Sequence, residues 1–114
     1  MVDGGSDPRW YVVYTKSKQE ERAESNLRAW GVETVLPRLC ERRGARVLTA
    51  PLFPRYLFAR FDAGRLLAKV RHTRGVHDVV AFGEQATPVD DSLVAVVRAR
   101  IAADGFVRIA DLRP

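Results

Sequence analysis

Cys40, His72 and His77 are the residues most able to carry nucleophilic chemistry: one thiol and two imidazoles that could serve as its base. Such a pair also needs a third group to orient the base, and no recognisable motif supplies one. The chain has no Gly-rich phosphate loop and no cluster of acidic, His or Cys residues at metal-ligand spacing. These residues point away from an enzyme, and no metal or organic cofactor is expected. A different chemistry lies in the aromatic and basic residues. Nineteen Lys and Arg against fourteen Asp and Glu leave a formal net charge of +5, and most of the basic residues are Arg. A guanidinium binds phosphate through a planar fork and stacks on bases, which suits work near nucleic acid. A GC-rich genome and a merely solvated basic surface would produce the same bias.

At 114 residues the chain has room for one domain with one core. No apolar run approaches the ~20 residues needed to span a bilayer. Residues 1–9 lack the apolar stretch of a signal peptide and read as a flexible tail. The single Cys40 cannot form an internal disulfide, which fits a reducing, cytoplasmic setting.

The elements that must position these side chains follow from spacing. Trp10 to Thr15 is β-branched and aromatic throughout and reads as a strand buried on both faces. Ser17 with Glu20 suggests a capping box, and Gly31 a stop. Between them Ala23, Leu27 and Trp30 form the inward stripe of an amphipathic helix. A second strand starts at Thr34–Pro37 and continues irregularly through Arg38–Glu41. The Arg42–Arg46 stretch then reads as a hairpin tip returning through Val47–Thr49. Tyr56–Phe61 is a third strand. Asp62 caps a short helix over Gly64–Arg71, and Val76–Phe82 is a fourth strand closed by Gly83. Asp90 or Asp91 caps a last helix, with Leu93, Val94, Val97 and Ile101 on one face and Gly105 at its end. The order predicts an α+β, ferredoxin-like split βαβ sandwich. Its sheet is largely antiparallel, with an extra hairpin and a C-terminal helix.

Alternation along Tyr56–Phe61 sends Leu57, Ala59 and Phe61 to one face and Tyr56, Phe58 and Arg60 to the other. The small Ala59 suits the face packed on helices. Tyr11 and Val13 of the first strand join it, leaving Trp10, Val12 and Tyr14 beside Tyr56 and Phe58. An aromatic patch on the open side of a sheet is a binding surface unless the Arg46–Leu52 segment or the last helix folds over it.

Pro51-Leu52-Phe53-Pro54-Arg55-Tyr56-Leu57-Phe58 resembles the Phe-Pro-x-Tyr stretch of NusG-family N-terminal (NGN) domains. Trp10-Tyr11-Val12-Val13, Thr73-Arg74-Gly75-Val76 and Val80-Ala81-Phe82-Gly83 resemble its opening and closing strands in the right order. The likeness runs from Trp10 to about Gly105. The full Pro-Leu-Phe-Pro-x-Tyr-Leu-Phe run, Phe61-Asp62 and Tyr14-Thr15-Lys16 are most similar to specialised antiterminators of the RfaH type. The resemblance implies a monomeric cytoplasmic transcription elongation and antitermination factor. It would bind the clamp helices of the RNA polymerase largest subunit through an aromatic depression of Tyr14, Tyr56, Phe58 and Phe82, and suppress pausing. Phe82 enters that set by resemblance alone.

The same resemblance implies contact with the non-template DNA strand through Lys16, Arg22, Thr73 and Arg74. It departs where Asn26, Ala29 and Trp30 replace the expected base-reading residues, and where a His-Thr-Thr stretch gives way to Arg65-Leu66-Leu67. The domain is expected over residues 10–105, with 106–114 its last strand or the start of a linker. The family's KOW domain, a small β-barrel, has no counterpart in these 114 residues, which would be a solitary domain or part of a longer protein. The alternative from another class is a single-stranded RNA-binding module stacking bases on the aromatic sheet face.

Overall fold

The computed structural model of the chain describes residues 7–83, 85–101 and 106–108. Strand β1 (Arg9–Thr15) leads into helix α1 (Glu20–Ala29) and a short β2 (Glu33–Val35). Next come β3 (Arg38–Arg43) and β4 (Arg46–Pro51), then β5 (Tyr56–Phe61), helix α2 (Ala63–Arg71) and β6 (Val76–Val79). The chain continues through β7 (Ala81–Phe82), β8 (Gln85–Ala86) and β9 (Pro88–Val89) to helix α3 (Asp91–Ala99) and β10 (Phe106–Arg108).

The main sheet runs in the order β2-β5-β1-β6, all neighbours antiparallel, with β9 also pairing β1. Helices α1 and α2 each carry the chain past one strand of this sheet. Tyr11, Val13, Leu57, Ala59 and Phe61 face them, packed with Ala23, Leu27, Val70, Val76 and Val79. Ala59 is fully buried, and its lack of bulk lets the helices approach. The side-chain alternation expected for β1 and β5 is therefore the observed one, with Tyr14 opposite Tyr56 and Val12 opposite Phe58.

Several local expectations are corrected. The segment 34–41 is not one irregular strand: β2 joins the main sheet, while β3 pairs with β4 and, in parallel, with β10 in a second sheet. The fourth strand breaks after Val79, and Ala81–Phe82 turns back on β8 through Gly83. The Ser17–Glu20 capping box does not form. Gln19 is the N-cap without a side-chain bond, and Glu20 is buried, accepting the Arg55 N–H at 2.9 Å instead. Asp62 caps α2 as expected, accepting from Gly64 N–H at 3.0 Å. Asp90 is the N-cap of α3 but makes no side-chain bond there, and α3 ends at Ala99. The expected stop at Gly105 lies outside the described residues.

The largest correction concerns the open face. Helix α3 lies over one end of it, packing Val94 with Trp10, Val35 and Phe58, and bringing Val97 and Ile101 against the same cluster. Arg98 sits 4.9 Å from the Trp10 ring centre and pairs with Glu33, which also lies 3.8 Å from Arg60. Burial of those apolar side chains and the cation on the indole hold the helix down.

Candidate functional site

The remainder of that face stays uncovered and carries the aromatic cluster. Tyr14 is its centre: Tyr56 lies 5.2 Å away, His77 meets it edge-on at 5.0 Å, and the Arg55 guanidinium sits 4.4 Å from its ring centre. Backbone geometry explains this convergence. Tyr14 and Tyr56 are direct partners across β1 and β5, the closest approach that two cross-strand side chains make. The pairing of β1 with β6 shifts between Tyr14 and Thr15, an irregularity of the kind that re-aims a side chain.

Of the four aromatic residues expected to line the depression, Tyr14 and Tyr56 come together, with Tyr56 41% exposed. Phe58 does not line an open surface: it is 8% exposed, part of the α3 cluster, and meets Phe53 edge-on at 6.4 Å. Trp10 is buried in the same cluster. Phe82 is 88% exposed on the β7–β8 hairpin and makes no ring contact with the others. Phe53, edge-on to Phe58 and itself exposed, is a surface aromatic that strand alternation missed because it precedes β5. Its place in the Phe-Pro-x-Tyr run was the available signal.

Lys16 and Arg74 border one groove, together with Arg71 and His77. His77 thus belongs to both the groove and the aromatic cluster. The approach of α1 to the turn before β6 creates this proximity. Lys16 N–H donates to Gly75 C=O at 2.8 Å, and the Asn26 amide donates to Arg74 C=O at 3.0 Å. Arg22 is exposed on α1, one turn before Asn26. Arg71 is committed to Asp78 at 3.0 Å. Thr73 is buried, and its hydroxyl both donates to Lys69 C=O at 2.7 Å and accepts the Trp30 indole N–H at 3.2 Å. Its side chain holds the structure together and has little left to offer a ligand.

Trp30 is not on the inner stripe of α1. It is 51% exposed, with the Lys69 ammonium 4.3 Å from its ring centre. Neither His72, which bonds Ala68 C=O, nor His77 is hydrogen-bonded to the Cys40 thiol on β3. Among the described residues, no three His, Cys, Asp or Glu side chains converge as a metal site, and no helix is long and apolar enough to cross a membrane.

Residues 8–98 match the family model described as transcription termination factor nusG. The chain is also similar to a solved structure described as "Domain interaction in Thermotoga maritima NusG". Identity is 29% and the TM-score 0.55, over 75% of this chain and 52% of that one. The chain spans about half the length of that structure. The matched residues include every element from β1 to most of α3, and with them the whole aromatic cluster. A mixed α/β fold with antiparallel sheets and three helices is common ground with that structure. By the span of this match, the chain belongs to the NusG family.

Proposed function

We propose that this chain is the NGN domain of a transcription elongation factor, spanning residues 10–105, and that its aromatic surface docks on RNA polymerase. The partner would be the coiled-coil clamp helices of the largest subunit. The observation that carries this reading is the pairing of exposed Tyr56 with half-buried Tyr14 at the end of the sheet that α3 leaves open. Rigid aromatic side chains on a supported surface bury large area at low entropic cost, which is what a docking site for a helical hairpin needs. Phe58 supports them from below and Phe82 extends the surface on its hairpin. The strand order, with two crossover helices on one face, agrees with the ferredoxin-like split βαβ arrangement of that domain.

Docking would shift the polymerase population toward its closed, active form and shorten pauses without chemistry, as an antiterminator of the RfaH type does. Lys16, Arg22 and Arg74 would meet the non-template DNA strand, with Thr73 supporting them from within. The protein would work as a monomer in the cytoplasm. The RNA-binding alternative has less support, because Trp10 and Phe58, the middle of the stacking platform it needs, lie under α3.

The test is a titration of core polymerase together with pause lifetimes. Tyr56→Ala is expected to weaken binding at least about tenfold, the usual effect of removing an aromatic anchor. Pause lifetimes should shorten with the wild-type domain and not with this variant. Unchanged affinity in a folded Tyr56→Ala protein, or pauses unaffected by a bound wild-type domain, would refute the reading.

A further inference from the structure

Arg55 stands where the backbone disfavours it. Phe53 to Tyr56 is a tight turn, closed by the Tyr56 N–H donating to Phe53 C=O at 3.0 Å, with Pro54 second and Arg55 third. Arg55 has φ of 72°, the left-handed value required at the third position of a type II turn. Glycine or asparagine ordinarily takes that place, and a larger side chain there carries a conformational penalty.

The chain nevertheless fixes this arginine from three directions. Buried Glu20 accepts its N–H, Thr15 N–H donates to its C=O at 2.7 Å, and its own Nε donates to Thr15 C=O at 3.1 Å. The guanidinium is thereby held on the Tyr14 ring. Glu20, the carboxylate that reaches this residue, serves its backbone and leaves the guanidinium unpaired. Among the described residues no carboxylate is within ion-pair distance of Arg55, and its two terminal nitrogens have no hydrogen-bond partner. Neither nitrogen is a buried, unsatisfied atom, and Arg55 as a whole is half-buried rather than enclosed. Packing alone does not account for a strained arginine locked onto a surface tyrosine with its outer N–H groups uncommitted.

We infer that Arg55 is a specificity-determining contact of the aromatic surface, taking an acidic side chain of the docking helix at the rim of the Tyr14–Tyr56 depression. This rests on the proposed polymerase docking and adds the chemistry at its edge. Apolar residues of the helix cover the tyrosine rings, and a carboxylate beside them accepts two parallel N–H bonds from the fork that Tyr14 orients. At the rim of the surface the pair stays within reach of solvent ions, so its contribution falls as ionic strength rises.

Arg55→Gly separates folding from recognition. Glycine relieves the left-handed backbone, so the variant is expected to melt at or above the wild-type temperature. Its affinity for purified core polymerase should nevertheless fall about tenfold at low salt, and clearly less at high salt. Arg55→Asn, which also suits that backbone, repeats the test if glycine loosens the turn. Wild-type affinity in the Arg55 variants, with Tyr56→Ala still impaired, would overturn the inference and leave the docking proposal intact. A reduction equal at both salt concentrations would place the effect in the posture of Tyr14 and overturn the carboxylate contact. If Tyr56→Ala binds normally as well, the docking proposal fails, and this inference with it.

Discussion

Tyr56 and Phe58 stand two residues apart on one face of β5 and meet opposite environments. Phe58 is packed in the cluster with Val94 of α3 and meets Phe53 edge-on, while Tyr56 is open, its ring tilted against that of Tyr14. The boundary of α3 falls between them, so a single strand carries both a core residue and an exposed aromatic residue on the same side.

The two positions should respond differently to truncation. Phe58→Ala removes a buried aromatic and is expected to destabilise the fold by about 3 kcal/mol. Tyr56→Ala should change stability by about 1 kcal/mol or less while lowering polymerase affinity. Urea denaturation of both variants checks the difference. Equal destabilisation would mean that α3 does not cover Phe58 in solution.

The alternation of β1 and β5 made this face legible in sequence, because a period of two leaves no choice of side once Ala59 is assigned to the helices. The coverage by α3 was legible only as an alternative, since the last helix was one of two segments able to fold over that face. Its spacing shows that Val94, Val97 and Ile101 share a stripe, but not which surface that stripe meets. Trp30 was misplaced for a related reason. At the C-terminal end of α1 it sits at inward spacing, yet its indole N–H finds Thr73 and its ring finds Lys69, so it lies over the edge of the helix. The unusual backbone of Arg55 gave no residue-type signal, since left-handed turns are read from Gly or Asn. Phe82 was reached only through family likeness, and its ring stands apart from Tyr14 on the exposed β7–β8 hairpin.

Gly75 ties the groove bordered by Lys16 and Arg74 to α1. It has φ of 93°, and a Cβ there would lie 2.8 Å from the Ala23 backbone nitrogen. Gly75→Ala therefore combines a left-handed penalty with a clash against helix backbone. It should destabilise the fold by about 2–3 kcal/mol. Thermal unfolding measures this, and a change below about 0.5 kcal/mol would contradict the close approach of α1 to this turn.

The two tryptophans offer a spectroscopic check. Trp10 is 4% exposed under Arg98 and α3, whereas Trp30 is half exposed beside Lys69. Trp30→Phe should leave a blue-shifted emission resistant to acrylamide, and Trp10→Phe a red-shifted emission that acrylamide quenches readily. Similar quenching of both single-tryptophan proteins would show that α3 does not close over Trp10.

Lys16 and Arg74 share a groove that opens beside His77, so a strand of nucleic acid lying there would run next to the docked polymerase surface. Thr73 lines the same groove, but its hydroxyl is taken up by Lys69 and Trp30, leaving the two cations and Arg22 as the uncommitted polar groups. Contacts of this kind neutralise phosphates, so affinity for single-stranded DNA should fall steeply with salt and show modest sequence preference. Replacing Lys16 and Arg74 together by Ala should flatten the slope of log affinity against log salt by about 1–1.5, since each phosphate neutralised on a single strand contributes about 0.7. Because both side chains are exposed, the double variant should keep its melting temperature. Site-specific crosslinkers at positions 16 and 74 in a paused elongation complex complete the test. Crosslinks to non-template bases are expected, and crosslinks to polymerase alone, with an unchanged salt slope, would remove DNA from the function of this surface.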